Sequence, residues 1–178
     1  MTLSDDFPSD LNKQEDPQWR AKVMRSISLF AYFTEEELAD LYLLGQMLHP
    51  KTKANVVIEG EPSRGLYLIL QGTVAIYKRD PISNQLIRLN YLEHGAAFGE
   101  LSLFDHSPRA ATITAESACT LLFFDHGHFG KYLDKKGDNL KARFFQKCAE
   151  ETTERLRAQN TDYLASQHLL WKYALRKD

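Results

Sequence analysis

The chain has 178 residues, 43% of them hydrophobic and 26% charged, with ten Phe, eight Tyr and two Trp. That is apolar material for one domain with a real core plus some appended helix; it excludes overall disorder and leaves too little for a second full domain. The formal net charge of −2 supplies no global basic field of the kind that recruits nucleic acid.

The opening "MTLSDDFPSDLNKQEDPQ" is acidic and polar with two prolines, which predicts a loose tail over residues 1–18. It lacks the basic start and apolar run of a secretory signal, and no apolar run in the chain approaches the ~20 residues that a membrane span needs. A cytoplasmic protein without a membrane partner is expected. Trp19, Val23 and Ile27 recur at helical spacing. "FTEEELADLYLLGQML" then predicts a firmer helix: Thr34 and Glu37 make a capping box, acidic residues suit its N-terminal end, and Leu38, Leu41 and Leu44 or Tyr42 supply an apolar stripe.

After His49-Pro50 the period becomes strand-like. "NVVIEGEPSRGLYLILQGTVAIYKRD" carries β-branched and aromatic runs punctuated by Gly60, Gly65 and Gly72; "DPISNQ" reads as a turn, "LIRLNYL" as an alternating strand, and "AATITAESACTLLFFD" as two more. Short strands at this regularity predict a mainly β domain, an antiparallel roll or barrel of jelly-roll type, flanked by helices. From about Asp138 the pattern is helical again. Phe145, Ala149, Thr152, Leu156, Gln159, Tyr163, Ser166, Leu170 and Tyr173 alternate spacings of four and three, a heptad seam that is polar in its middle. Paired helices in a homodimer are the expected use of such a seam; packing of the stripe on the chain's own barrel is the alternative. The organisation expected is therefore a tail (1–18), a β-roll with lead-in helices (19–137) and a long C-terminal helix (138–178). Cys119 and Cys148 have no metal-type spacing and read as small buried apolar residues in a reducing compartment.

"FGELSLFDHSPRAATIT", Phe98 to Thr114, is the chemically informative stretch. Gly-Glu-Leu-Ser-Leu after a strand suits one helical turn whose free N–H groups point at an anion, and Gly99 lets a ligand approach the backbone. Arg109 adds a permanently charged forked donor suited to phosphate. Glu100 would repel that anion unless it accepts hydroxyls of the same ligand, and a ribose beside a phosphate meets both demands. Ala110 and Ala111 keep the wall thin. A Glu100–Arg109 salt bridge closing a loop is the competing explanation, and residue types alone do not choose between them.

The same stretch closely resembles the phosphate-binding cassette of the cyclic nucleotide-binding domain family, which includes the catabolite activator protein and the regulatory subunits of cAMP-dependent protein kinase. "SLFAYFTEEELADL", "VVIEGEPSRGLYLILQGTVAIYK" and "AESACTLLFFDHGHF" are similar to that family's lead-in helix, first strands and later strands, so the resemblance extends over roughly residues 27–160. It implies that Glu100 accepts the ribose 2′-hydroxyl and that Arg109 pairs with the cyclic phosphate, helped by N–H groups near Gly99, Leu101, Ser102 and Ala110. It implies that Val57 and Leu89 form an apolar wall near the base. It implies cAMP over cGMP, because Ala110 offers a methyl where cGMP-preferring members tend to carry a hydroxyl. A residue of the following helix caps the base in relatives, which makes Thr152, Gln159 and Asn160 the polar candidates.

Only "TDYLASQHLLWKYALRKD" follows Asn160, too short for a helix-turn-helix reading head, so direct DNA binding is not expected; Lys172, Arg176 and Lys177 read as cations at a helix C-terminus. No segment suggests catalysis. Asp125, His126 and His128 look like a strand-to-helix turn rather than a metal site, and Ser102, Asp105 and His106 lie too close together to act as a triad. The expectation is a homodimeric cAMP receptor, metal-free, that signals by helix rearrangement to a protein effector. The alternatives are a regulatory fragment of a larger effector and a scaffold that has lost its ligand.

Overall fold

The structure is a computed structural model that describes residues 16–105 and 107–174. Most of the expected tail, His106, and Arg176 and Lys177 lie outside the described residues. Helix α1 (Pro17–Arg25) begins two residues before the predicted Trp19, so Pro17 and Gln18 are helical. Asp16 caps it, accepting from the Gln18 N–H at 2.9 Å, and Pro17 sits at the first helical position, where a missing N–H costs nothing. A 3-10 turn (Ser28–Phe30) leads to α2 (Glu35–Tyr42). Its capping box is reciprocal: Glu37 N donates to Thr34 Oγ1 at 3.2 Å and Thr34 N to Glu37 Oε2 at 2.7 Å.

The helix predicted to continue through Leu48 stops at Tyr42, and Gln46–Leu48 instead forms strand β1. Gly45 lies against the Leu122 side chain, and β1 pairs with the last strand of the roll. Tertiary pairing overrides the local helical pattern there.

The remaining strands are β2 (Asn55–Val57), β3 (Gly65–Gln71), β4 (Val74–Arg79), β5 (Leu86–Leu92), β6 (Ala97–Phe98), β7 (Thr112–Ala115) and β8 (Thr120–Asp125). They form two four-stranded sheets, β1-β8-β3-β6 and β2-β7-β4-β5, with antiparallel pairings throughout. This is the antiparallel roll the strand pattern predicts. A single turn of helix, α3 (Ser102–Asp105), joins β6 to β7; α4 (His126–Lys136) and α5 (Asp138–Ala174) follow β8. Asp125 is the N-cap of α4, accepting from the N–H groups of Gly127 and His128, which is the turn its sequence context predicts.

Strand alternation divides the core. On β3, Leu66, Leu68 and Leu70 face the helices, while Ile69 and Tyr67 face between the sheets; on β8, Leu122 and Phe124 take the first side and Leu121 the second. The first part of α5 belongs to the helical side. Leu140, Phe144 and Cys148 are buried, and the Phe144 ring lies 5.0 Å from that of Phe129 and 6.3 Å from those of Phe30 and Phe33. Beyond Glu151, the side chains through Tyr173 are exposed, apart from the half-buried Gln167. Of the heptad residues, Phe145 still packs its ring 5.4 Å from that of Phe104 in α3, whereas Leu156, Tyr163, Leu170 and Tyr173 are on show, so the distal seam does not pack on its own roll. Both cysteines are free and buried, and burial, with the Glu100 and Glu151 carboxylates nearby, pushes the Cys148 thiol up to about 12. No helix among the described residues is long and apolar enough to cross a membrane.

Candidate ligand-binding site

The cassette turns at Gly99, whose φ of +89° is a left-handed conformation that favours glycine. An added Cβ would also run into Arg109 Nη1 and stand 2.7 Å from the Gly65 carbonyl oxygen. The missing side chain therefore makes room for a guanidinium. Arg109 is 8% exposed; its Nη2 donates to Gly65 O at 2.8 Å, and its charge lies 5.3 Å from the Tyr67 ring centre. Among the described residues Nη1 has no hydrogen-bond partner. Burial lowers the guanidinium pKa, against the opposing influence of Tyr67 and the Glu100 carboxylate.

The loop between β2 and β3, residues 58–64, is sewn to the cassette. Gly60 N donates to Arg109 O at 2.9 Å, Arg109 N to Glu61 O at 2.8 Å, and Glu59 N to Thr112 Oγ1 at 3.0 Å. Together they wall a cleft of about 300 Å³, with Val57, Pro62 and Tyr67 on its apolar side and Glu61, Arg64 and Arg109 on its polar side. Ser102 is buried; its hydroxyl donates to Gly99 O at 2.9 Å and lies 3.3 Å from His126 Nε2, which ties α3 to the start of α4. The N–H groups of Leu101, Ser102 and Ala110 take no main-chain acceptor among the described residues. Ala110 O accepts from Lys78 Nζ at 2.6 Å, and Ala111 is half-buried beside β7.

Glu100, 4% exposed, does not meet Arg109. The two side chains leave the cassette in different directions, Arg109 toward the start of β3 and Glu100 toward α5, where Arg155 Nη1 bonds its Oε1. The loop-closing Glu100–Arg109 salt bridge is accordingly not formed. Arg155 also lies 3.6 Å from Glu151. Sequence reasoning passed over Arg155 in favour of Thr152, Gln159 and Asn160. Thr152 donates its hydroxyl to Cys148 O in its own helix, and all three are exposed, so none reaches the cleft within one chain. The overlooked signal was spacing: Phe144, Cys148, Glu151 and Arg155 follow steps of four, three and four, the stripe turned toward the roll. Val57 lines the cleft as expected from the resemblance, whereas Leu89 does not. It is 60% exposed on β5, an edge strand paired only with β4. Among the described residues no cluster of His, Cys, Asp or Glu is arranged to hold a metal ion.

Known proteins resemble this chain in sequence and in fold. The sequence profile of the cyclic nucleotide-binding domain matches residues 49–136. The cAMP-activated global transcriptional regulator CRP of Salmonella typhimurium is 31% identical over 90 residues, covering 50% of this chain and 42% of the regulator, so the match spans less than half of that relative's length. Among solved structures, the N-terminal domain of a transcriptional regulator from Streptomyces coelicolor A3(2) superposes with a TM-score of 0.67 at 27% identity, over 75% of this chain and 94% of that one. The regulatory domain of Toxoplasma gondii PKA, solved with cAMP, gives 0.61 at 25% identity, over 73% and 48%. Residues 49–136, which include Gly99, Glu100 and Arg109, form a domain of the cyclic nucleotide-binding family.

Proposed function

We propose that this chain is a cAMP receptor that signals through α5. The observation that carries the reading is Arg109, a guanidinium more than nine-tenths buried with one nitrogen unpartnered at the bottom of a cleft. Such a group is costly in a folded core and is justified by an anion that completes its hydrogen bonds. A cyclic phosphate placed there brings its ribose toward Glu100, whose carboxylate then accepts the 2′-hydroxyl. Ala110 offers no hydroxyl for a guanine amino group, which favours cAMP over cGMP. The regulator in Salmonella is cAMP-activated by name, and the Toxoplasma domain was solved with cAMP, which agrees with this choice.

Glu100 also gives the signal its route. It is held by Arg155 of α5, so a ligand that engages Glu100 acts on the contact that fastens the middle of that helix to the roll. Ligand can shift α5 only by binding one arrangement more tightly than another. Two copies joined along the exposed seam would make a cytoplasmic homodimer whose moving helices are read by a protein effector. The test is calorimetric titration of nucleotide-stripped protein with cAMP and cGMP, with Arg109→Ala as control. Saturable cAMP binding that the variant loses supports the receptor; folded protein that binds neither nucleotide overturns it in favour of a scaffold.

A further inference from the structure

The cleft holds a second guanidinium that the reading above does not use. Arg64 lines the cleft together with Arg109, and it ends the loop that forms the cleft's outer wall. The backbone at this point is fixed from both sides: Arg64 O accepts from His126 N at 3.1 Å, and the next carbonyl, Gly65 O, accepts from Arg109 Nη2 at 2.8 Å. Gly65 itself is packed against the Phe124 carbonyl and the Phe123 ring, so the chain there has no room to shift. The Arg64 side chain is the opposite case. It is exposed, and among the described residues it makes no ion pair and no side-chain hydrogen bond. Four other arginines are engaged: Arg25 and Arg79 donate to carbonyls, and Arg143 and Arg155 hold carboxylates. The carboxylate that shares the cleft, Glu61, is not paired with Arg64.

We propose that Arg64 is a second anion-binding residue of this site, clasping from the outer wall the phosphate that Arg109 holds from within. The inference rests on the reading of the cleft as a phosphate-ligand site. Two guanidiniums that make no ion pair among the described residues line one small cleft and repel each other, and a phosphate has oxygens enough to give each planar fork its own acceptors. Arg109 is rigid and preformed, and Arg64 supplies reach. The fixed backbone at residues 64–65 keeps its side chain anchored at the rim while four rotatable bonds let it close.

The experiment measures dissociation constants of the full chain for cAMP and, as a second probe, for inorganic pyrophosphate, in the natural sequence, Arg64→Ala, Arg64→Lys and Arg64→Glu. Arg64 is exposed and its side chain holds no other element, so the variants should keep the thermal midpoint of the parent. The expected result is roughly ten-fold weaker binding in Arg64→Ala, a larger loss in Arg64→Glu, partial recovery in Arg64→Lys, and a shallower dependence of affinity on salt once the second cation is gone. Affinities for both probes within about two-fold of the parent in Arg64→Ala would overturn the assignment. If the parent binds pyrophosphate through Arg64 but not cAMP, the second cation stands and the nucleotide reading falls. If folded parent protein binds neither probe, both fall.

Discussion

The two halves of α5 are built from the same kinds of residue and meet different fates. From Leu140 to Cys148 the apolar stripe is driven into the roll, with Phe144 fully buried among three other phenylalanines. From Leu156 to Tyr173 comparable side chains stand in water: Leu164 is 62% exposed, Trp171 67% and Tyr173 71%. The boundary falls at Glu151 and Arg155, where the packed stripe ends in the ion pair that holds Glu100. The first half is part of the domain's core. The second is a long apolar surface that the described residues do not cover, and the cassette is fastened where one regime gives way to the other.

That contrast is open to direct attack. Phe144→Ala removes a fully buried ring from the packed half and should lower unfolding stability by about 3–5 kcal/mol in denaturant titration; a loss below about 1 kcal/mol would mean that the half is not core. Arg155→Ala acts at the boundary and leaves the Glu100 carboxylate buried without its cation. With Arg155 itself half-exposed, the expected cost is about 1–2 kcal/mol, accompanied by faster amide exchange in α5 beyond residue 150. Unchanged exchange there would show that the ion pair does not fasten the helix.

Acid sharpens the comparison on the packed side. Burial works to raise the Glu37 carboxyl, but the Arg143 guanidinium of α5 and the Thr34 N–H outweigh it and hold the group below the ordinary carboxylate range. Because the folded value lies below the unfolded one, this contribution is complete above the ordinary Glu range near ~4.3 and is lost as pH falls through the lower folded value. Glu37→Gln should flatten that part of the stability profile, and a profile identical to the parent's would remove Glu37 from the account. The smallest effect on monomer stability belongs to the distal half. Leu170→Ala should leave unfolding of dilute protein within about 0.5 kcal/mol of the parent. Leu170→Glu should shift sedimentation toward the monomer, and equal sedimentation of parent and variant would exclude the seam as the contact between copies.

Much of the local structure was legible before the fold. The Thr34–Glu37 capping box and the alternating strands are near-neighbour effects, and each was visible in a window of a few residues. The cassette was legible for the same reason, since its glycine, carboxylate and arginine lie within one short segment. The errors share a cause as well. Gln46–Leu48 reads as helix until β8 recruits it into a sheet, and Leu89 reads as wall until β5 proves to be an edge strand on which that side chain is exposed. Between the two readings of Glu100 and Arg109 that residue types left open, the structure forms no salt bridge: each finds its partner elsewhere, at Arg155 and at Gly65.

By itself, then, the sequence determined which segments alternate, which residues cap and which side chains carry charge suited to a nucleotide phosphate and ribose. The tertiary structure decided who meets whom: that Arg109 is buried with a nitrogen to spare, that Arg155 returns from 55 residues away to the cassette carboxylate, and that Arg64 shares the cleft unpaired. The physical reason is range. Propensity, capping and turn strain act between residues a few positions apart, whereas ion pairing and burial depend on distances that exist only after the roll has closed and α5 has packed against it.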